Sequence, residues 1–352
     1  MRGGEYVFEA IAELYPEAEV FTLLAVPQKI SSAIRKHPIH TTWLQKVPGA
    51  AEKYRNFLPL MPSMIESFDL TDFDLVISSS HCVAKGIRKP KGAVHVSYVH
   101  APMRYVWDRY EEYFGPGKAS LPVRLAARAV RGYLQKWDRK VSGPGNVDHL
   151  IANSQFIADR IEECYGRKAQ VIYPFADLSR FGGVRTAENF YLMVGAFAPY
   201  KRVDLAIEVF NQLKLPLIIV GSGQNEERLR ALAGPTVQMV GQKTNEEIAN
   251  LYSRCRAMIF PGVEDFGITP LEAMASGAPV IAFDAGGAKE TVTAKTGIHF
   301  KTQTHESLSA AVLEMEANPG KFLESDCRER AAEFSKERFQ RELLGAVNRF
   351  ST

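Results

Sequence analysis

The chain has 352 residues, too many for one ordinary hydrophobic core, and at about 150 residues per domain this length predicts two domains. With 46% hydrophobic and 24% charged residues and a mean hydropathy of −0.15, the composition suits globular folding and excludes disorder. A net charge of +3 is too small to imply nucleic acid, and the longest apolar runs, such as Leu217-Ile218-Ile219-Val220, are strand-sized, far below the roughly 20 residues of a spanning helix.

Short apolar runs alternate with helical periodicity, the mark of βα units around a parallel sheet. The opening Met1-Arg2-Gly3-Gly4-Glu5-Tyr6 runs into a helical pattern without an apolar leader, which predicts a cytoplasmic chain. Strands are predicted at about 18–24, 74–78, 93–99, 148–152 and 169–173. A second, similar series follows at about 190–194, 216–220, 236–240, 257–260 and 279–283. Between them, Tyr173 to Gly183 is irregular and contains Pro174, Gly182 and Gly183, suited to an interdomain hinge near 175. The domains are therefore expected at 1–175 and 176–335, followed by a terminal helical segment, 336–352, whose apolar Phe339, Leu343, Leu344, Val347 and Phe350 must dock somewhere.

Leu121 to Lys140 carries Arg124, Arg128, Arg131, Lys136, Arg139 and Lys140 among Leu121, Val123, Leu125, Val130, Tyr133, Leu134 and Trp137. This basic amphipathic helix either packs its apolar stripe on its own domain or docks on anionic lipid, where each cation adds about 1 kcal/mol. Cys82, Cys164, Cys255 and Cys327 are far apart and form no Cys-x-x-Cys pair, so they read as buried small hydrophobes and not as zinc ligands or disulfides. Asp72-Phe73-Asp74 precedes a predicted strand at its amino end, and no metal site is expected there.

The most informative stretch runs from Pro261 to Ile281. A strand ending at Phe260 leads through a glycine-containing loop into a helix whose predicted cap is Thr269 and whose first residue is Pro270. Converging amides and the helix dipole suit a phosphate or another anion. The same residues fit a capping box, Thr269-x-x-Glu272, in which Glu272 serves only the backbone.

Glu264 and Glu272, with Phe266-Gly267 between them and Ala273-Met274-Ala275-Ser276-Gly277-Ala278-Pro279-Val280-Ile281 behind, resemble the Glu-x7-Glu signature of the GT4 retaining glycosyltransferases. The resemblance implies an α/β GT-B fold, two Rossmann-like doubly wound parallel-sheet domains facing a cleft. It implies that Glu264 touches the donor sugar, that Phe266, Gly267, Ile268 and Thr269 line the sugar and diphosphate, and that Glu272 holds the ribose. Lys201 matches the family's diphosphate lysine, while Ala196 replaces the usual arginine and leaves Arg202 as a substitute. Positive charge there would stabilise the leaving phosphate without metal. Gly221-Ser222-Gly223 lacks the third glycine of a dinucleotide fingerprint, because Glu226 stands there, so it reads as a βα turn with Gly241 as a neighbour of the base.

His100-Ala101-Pro102-Met103-Arg104 resembles the His-x-Pro-Met-Arg segment of polysaccharide-assembling, often mannosyl-transferring members. This implies that His100 reaches the donor sugar. Arg104 is expected to orient acceptor or phosphate, and Ser80, His81 and Lys85 to meet the acceptor. Gly3-Gly4-Glu5 resembles the segment that starts the family's first helix, with Gly4 at the donor, but only Met1 and Arg2 precede it and Tyr6 replaces a lysine. The first domain is accordingly expected to lack its first strand, leaving two neighbours without backbone partners; an internal methionine recorded as the start is favoured over a truncated product. The last helix is expected to pack back on the first domain.

The resulting expectation is a retaining glycosyltransferase that moves a hexose, mannose first, from a nucleoside-diphosphate sugar to a saccharide or lipid-linked saccharide. GDP-mannose is the expected donor, with no cofactor, metal or nucleic acid, and contact with the inner face of an anionic membrane is one of the two readings of 121–140. The alternatives are a nucleotide-sugar 2-epimerase and a non-catalytic sugar-nucleotide-binding protein.

Overall fold

The computed structural model describes residues 3–108, 110, 121–223 and 225–350. The chain divides into two compact units, Met1–Tyr173 together with Gln340–Thr352, and Pro174–Phe339. All of their strands pair in parallel.

In the first unit, β1 (Val20–Thr22) pairs with β2 (Ile39–Thr41), while β3 (Leu75–Ser80), β4 (Val94–Val99), β5 (His149–Ala152) and β6 (Gln170–Val171) form a separate sheet in that order. Among the described residues, β1 and β3 each have a ladder on one side only. Apolar packing nevertheless reaches across: Phe21 of β1 meets Phe68 and Phe73 edge-on, with centroids 5.3 and 5.6 Å apart, and leans on the cluster containing Val76 of β3. The short β2 was not predicted, because Ile39-His40-Thr41 follows Pro38 and offers no apolar run.

The helix Gly3–Leu14 buries Val7, Ala10 and Ile11. From the last helix, Lys336–Phe350, Gln340 donates to the Ala10 carbonyl at 3.0 Å and the Phe350 ring stacks on His149 at 3.7 Å.

The helix Leu121–Val141 divides the apolar residues that the sequence assigned to one stripe. Leu134 and Trp137 enter the core with Val130 against it, whereas Leu121, Leu125 and Tyr133 are exposed. A buried ion pair holds this helix. Lys85 Nζ lies 2.6 Å from Asp138 Oδ1, both side chains having no exposure. Asp138 Oδ2 also accepts from Trp107 Nε1 and Tyr165 Oη, each at 2.8 Å, and Lys85 donates to the Cys82 carbonyl at 3.0 Å. The charge partner and the bonds to Asp138 Oδ2 offset part of the desolvation cost that an isolated buried charge would carry. Lys85 therefore cannot meet an acceptor as the sequence suggested.

In the second unit, β7 (Tyr191–Val194), β8 (Leu217–Val220), β9 (Val237–Gly241), β10 (Met258–Phe260), β11 (Val280–Phe283) and β12 (Gly297–Phe300) form one sheet in the order β12-β11-β10-β7-β8-β9. Leu217, Ile219, Ile259, Ile281 and Ile298 share a core with Phe210 and Val312 from the covering helices. β12 escaped the sequence reading because Gly297-Ile298-His299-Phe300 has only two large apolar residues, interrupted by His299, and opens on glycine. Strand order reverses between β7 and β10, and at such a switch point the loops leaving the carboxyl edge diverge to open a crevice for ligands. Among the described residues, no helix is long and apolar enough to cross a membrane.

Candidate functional site

In the second unit the loops after β7 and β10 leave adjacent strands at the switch point. They bring together Lys201 and Glu264, which form an ion pair with both side chains mostly buried. Lys201 Nζ also stands 5.9 Å from the centroid of the Phe260 ring. Behind Glu264, the loop after β11 approaches so closely that a Cβ on Gly287 would lie 2.2 Å from Phe266 Cα. The Gly287 amide donates to the Glu264 carbonyl at 2.9 Å. Nothing larger than glycine permits that contact, so a residue without a functional group fixes the acidic loop; sequence reading missed it.

The following helix is Ile268–Ala275, and its cap is Gly267 at φ +84°. This corrects the expected start: Thr269 is not the cap, and Pro270 is not the first helical residue. Glycine takes the left-handed conformation without the Cβ penalty that threonine would suffer, and the helix starts two residues early. The capping box does not form, and no side chain caps this end. Thr269 Oγ1 is buried without a hydrogen-bond partner. First-turn amides, the helix dipole and this orphan hydroxyl are chemically suited to an anion.

Glu272 instead accepts from Tyr252 Oη at 3.3 Å. Burial pushes the Glu272 carboxyl above its ordinary value, against the opposing pull of the Arg180 charge and the tyrosine bond. Burial drives the Tyr252 phenol well above its usual range, keeping it a neutral donor. No spacing in the sequence pointed to Tyr252. Phe266 is buried, and Ile268 is half-buried in the helix's first turn.

Arg202 caps the helix Val203–Leu213 at φ +53°. Its guanidinium faces Asp204 at 3.2 Å and the Gln303 carbonyl at 3.4 Å. Gly241 ends β9, and its carbonyl accepts from the Gly221 amide at 2.9 Å. A Cβ added at Gly241 would meet nothing within 4 Å.

In the first unit His100 follows β4. Ser79 Oγ lies 2.8 Å from its Nε2, and the ring packs edge-on to Tyr98. A Cβ on Gly4, in the first turn of the Gly3–Leu14 helix, would sit 3.5 Å from this ring. Burial, and then the charges of His81 and Arg104, hold His100 down at about 3. His100 is thus neutral near pH 7, a hydrogen-bonding group rather than a cation. Gly4, His81, His100 and Arg104 converge as a group, but Ser80 does not join them. Its side chain turns inward, accepting from the Lys85 amide at 3.3 Å and contacting the Cys82 carbonyl. β3 alternates, burying Val76, Ser78 and Ser80, so Ser79 faces the histidine; Leu75-Val76-Ile77-Ser78-Ser79-Ser80 shows no alternation in the sequence, and only pairing sets that phase.

The comparisons now decide the family. Residues 2–180 match the family described as Glycosyltransferase Family 4. The chain belongs to glycosyltransferase family 4. Residues 175–338 match the description "Glycosyl transferases group 1". The chain is 28% identical over 200 residues to an uncharacterized glycosyltransferase of Methanocaldococcus jannaschii, covering 54% of this chain and 55% of that protein. It is 27% identical over 183 residues to the O-antigen chain mannosyltransferase RfbU of Salmonella typhimurium, covering 49% and 52%. A GDP-mannose-dependent alpha-mannosyltransferase of Mycolicibacterium smegmatis is 37% identical over 122 residues, covering 34% and 32%. The matches thus span about half the length, or less, of these relatives. Among solved structures, sucrose-phosphate synthase from Thermosynechococcus elongatus aligns with a TM-score of 0.71 at 20% identity, over 97% of this chain and 90% of that one. That likeness establishes the GT-B fold.

Proposed function

We propose that this family member transfers a hexose, with retention, from a nucleoside-diphosphate sugar to a saccharide or lipid-linked saccharide in polysaccharide assembly. The observation that carries the reading is the Lys201–Glu264 pair at the switch point, beside a helix start that no side chain caps. In it, Lys201 and the first-turn amides meet the departing diphosphate, Glu264 the sugar and Glu272 the ribose. A standing array of positive partial charges needs no reorganisation as negative charge grows on the leaving oxygen. Phe266, Gly267, Ile268 and Thr269 complete the donor wall, with Gly241 toward the base and Arg202 as the second diphosphate cation once drawn from Asp204.

His100, with Gly4 behind it, hydrogen-bonds the sugar; His81 and Arg104 serve the acceptor. A neutral His100 suits this positioning role. The leaving phosphate itself would take the acceptor's proton in same-face attack. The mannosyltransferase names of the Salmonella and Mycolicibacterium relatives support mannose, and the latter's GDP-mannose dependence supports that donor. A lipid-linked acceptor would be met at a membrane surface, where 121–140 supplies contact.

A thermal-shift panel of GDP, UDP and their sugars tests the donor. Ligand at about 100 times its Kd should add roughly 2.7 kcal/mol to stability, with GDP-mannose strongest. Product NMR then reads the anomer: an inverted linkage overturns retention, while epimerised donor formed without acceptor supports the epimerase.

A further inference from the structure

We propose that Tyr252 is a positioning residue for the ribose of the donor: its hydroxyl fixes one oxygen of Glu272 and leaves the other to the ribose hydroxyls. This deepens the donor reading above and rests on it, since Glu272 is the ribose ligand there. The two side chains come from separate helices of the second unit, Asn245–Arg254 and Ile268–Ala275. Tyr252 is fully buried, and its Oη donates to Glu272 Oε2 at 3.3 Å. Among the described residues this is the hydroxyl's one hydrogen bond, and Glu272 Oε1 accepts none.

Contacts that do not involve Glu272 hold the tyrosine in place. A capping box of Thr244 and Glu247 starts its helix. At the other end Arg185 donates to the carbonyls of Tyr252, Cys255 and Arg256 at 3.2, 2.7 and 3.1 Å. Phe181 packs edge-on to the tyrosine ring, with centroids 6.0 Å apart. The hydroxyl therefore has a fixed place. Its bond is long for an O–H donor, so it steers the carboxylate more than it strengthens it. Packing alone does not call for this hydroxyl, because a buried O–H costs free energy wherever its bonding falls short.

The donor is also neutral, and that decides what Glu272 can bind. The cation whose charge acts on Glu272 is Arg180, and Arg180 Nε lies 3.0 Å from Asp177 Oδ2. An arginine fork closed on Glu272 would occupy both carboxylate oxygens and cancel their charge. A single neutral O–H restrains the carboxylate and leaves it one oxygen, with two lone pairs and the charge, for two neighbouring hydroxyls. A nucleotide lacking either hydroxyl forfeits a bond to a charged group, about ten-fold to a hundred-fold in affinity.

Affinities of the full chain for GDP and UDP, and for the 2′-deoxy and 3′-deoxy forms of each, test this. The unaltered chain should prefer the ribonucleotide about ten-fold or more. Tyr252→Phe should cut that preference at least about three-fold, weaken the deoxynucleotides little, and raise donor KM with kcat within about two-fold. Glu272→Gln should also lose the preference, and adding Tyr252→Phe to it should change the preference no further. Tyr252 has no such role if Tyr252→Phe keeps the full preference, if it weakens ribonucleotides and deoxynucleotides equally, as a packing role would, or if it does not fold. Binding of neither diphosphate, no preference in the unaltered chain, or a preference that survives Glu272→Gln overturns the donor reading and this inference with it. Loss in Glu272→Gln with Tyr252→Phe unaffected leaves the donor reading standing and removes the role of Tyr252 alone.

Discussion

Lys201 and Glu264 stand on loops leaving adjacent central strands of a six-stranded sheet, whereas His100 leaves a strand whose neighbour β3 is an edge. The second unit fixes its groups through backbone: the switch point, the left-handed Gly267 and the close approach of Gly287. The first unit relies on side chains, above all the Lys85–Asp138 pair and the Ser79–His100 contact. A continuous ladder makes geometry insensitive to single side chains; a divided sheet passes that burden to buried polar networks, which fail sharply when one member is removed.

The largest effect should therefore come from the first unit. Lys85→Met leaves Asp138 charged and buried, and should cost about 3–5 kcal/mol in chemical unfolding. Lys85→Met combined with Asp138→Leu should recover only part of it, because Trp107 Nε1 and Tyr165 Oη lose their acceptor. Equal stability of the single variant and the unaltered chain would break the contrast between the units.

In the second unit, Lys201→Ala should leave folding largely intact and lower transfer about 10²–10³-fold, read as kcat with saturating donor. A change confined to KM would mean that Lys201 holds the ground state as firmly as the transition state.

Acid should weaken the first unit selectively. Burial holds His95, which hydrogen-bonds the Asn146 carbonyl and Ser78, at about 4 against an ordinary 6.5. Unfolded His95 gains its proton as pH falls through 6.5, and folded His95 only near 4. Stability present above pH 6.5 is thus lost across that window, by roughly 3 kcal/mol. Urea unfolding at pH 7, 5.5 and 4.5 measures it, and His95→Gln should reduce the slope, leaving the part owed to His100, which burial holds at about 3.

The smallest effect sharpens the backbone side of the comparison. Gly287→Ala forces the Phe266 backbone away and should cost about 1–3 kcal/mol, with nucleoside-diphosphate stabilisation falling more than the thermal midpoint. An unaffected midpoint and unaffected ligand response would show that the acidic loop does not need this buttress.

Much of the fold was legible because apolar strand runs such as Leu217–Val220 and helical periodicity are local signals. β2 and β12 were illegible because neither offers an unbroken apolar run and both are strands only through their partners. Lys85 and Ser80 looked like acceptor groups in a polar strand-end loop. The burial of both depends on Asp138, far along the chain, and on the phase of β3, which only pairing fixes.

The sequence by itself determined the parallel α/β architecture, the Glu264 and Glu272 spacing and the position of Lys201, because these are matters of period and adjacency. Tertiary structure decided that Lys201 faces Glu264, that Glu272 turns from its helix end to Tyr252, and that Gly267 starts the helix in place of Thr269. Each of those outcomes depends on which distant backbone approaches, and close packing admits one arrangement where local propensity admitted several.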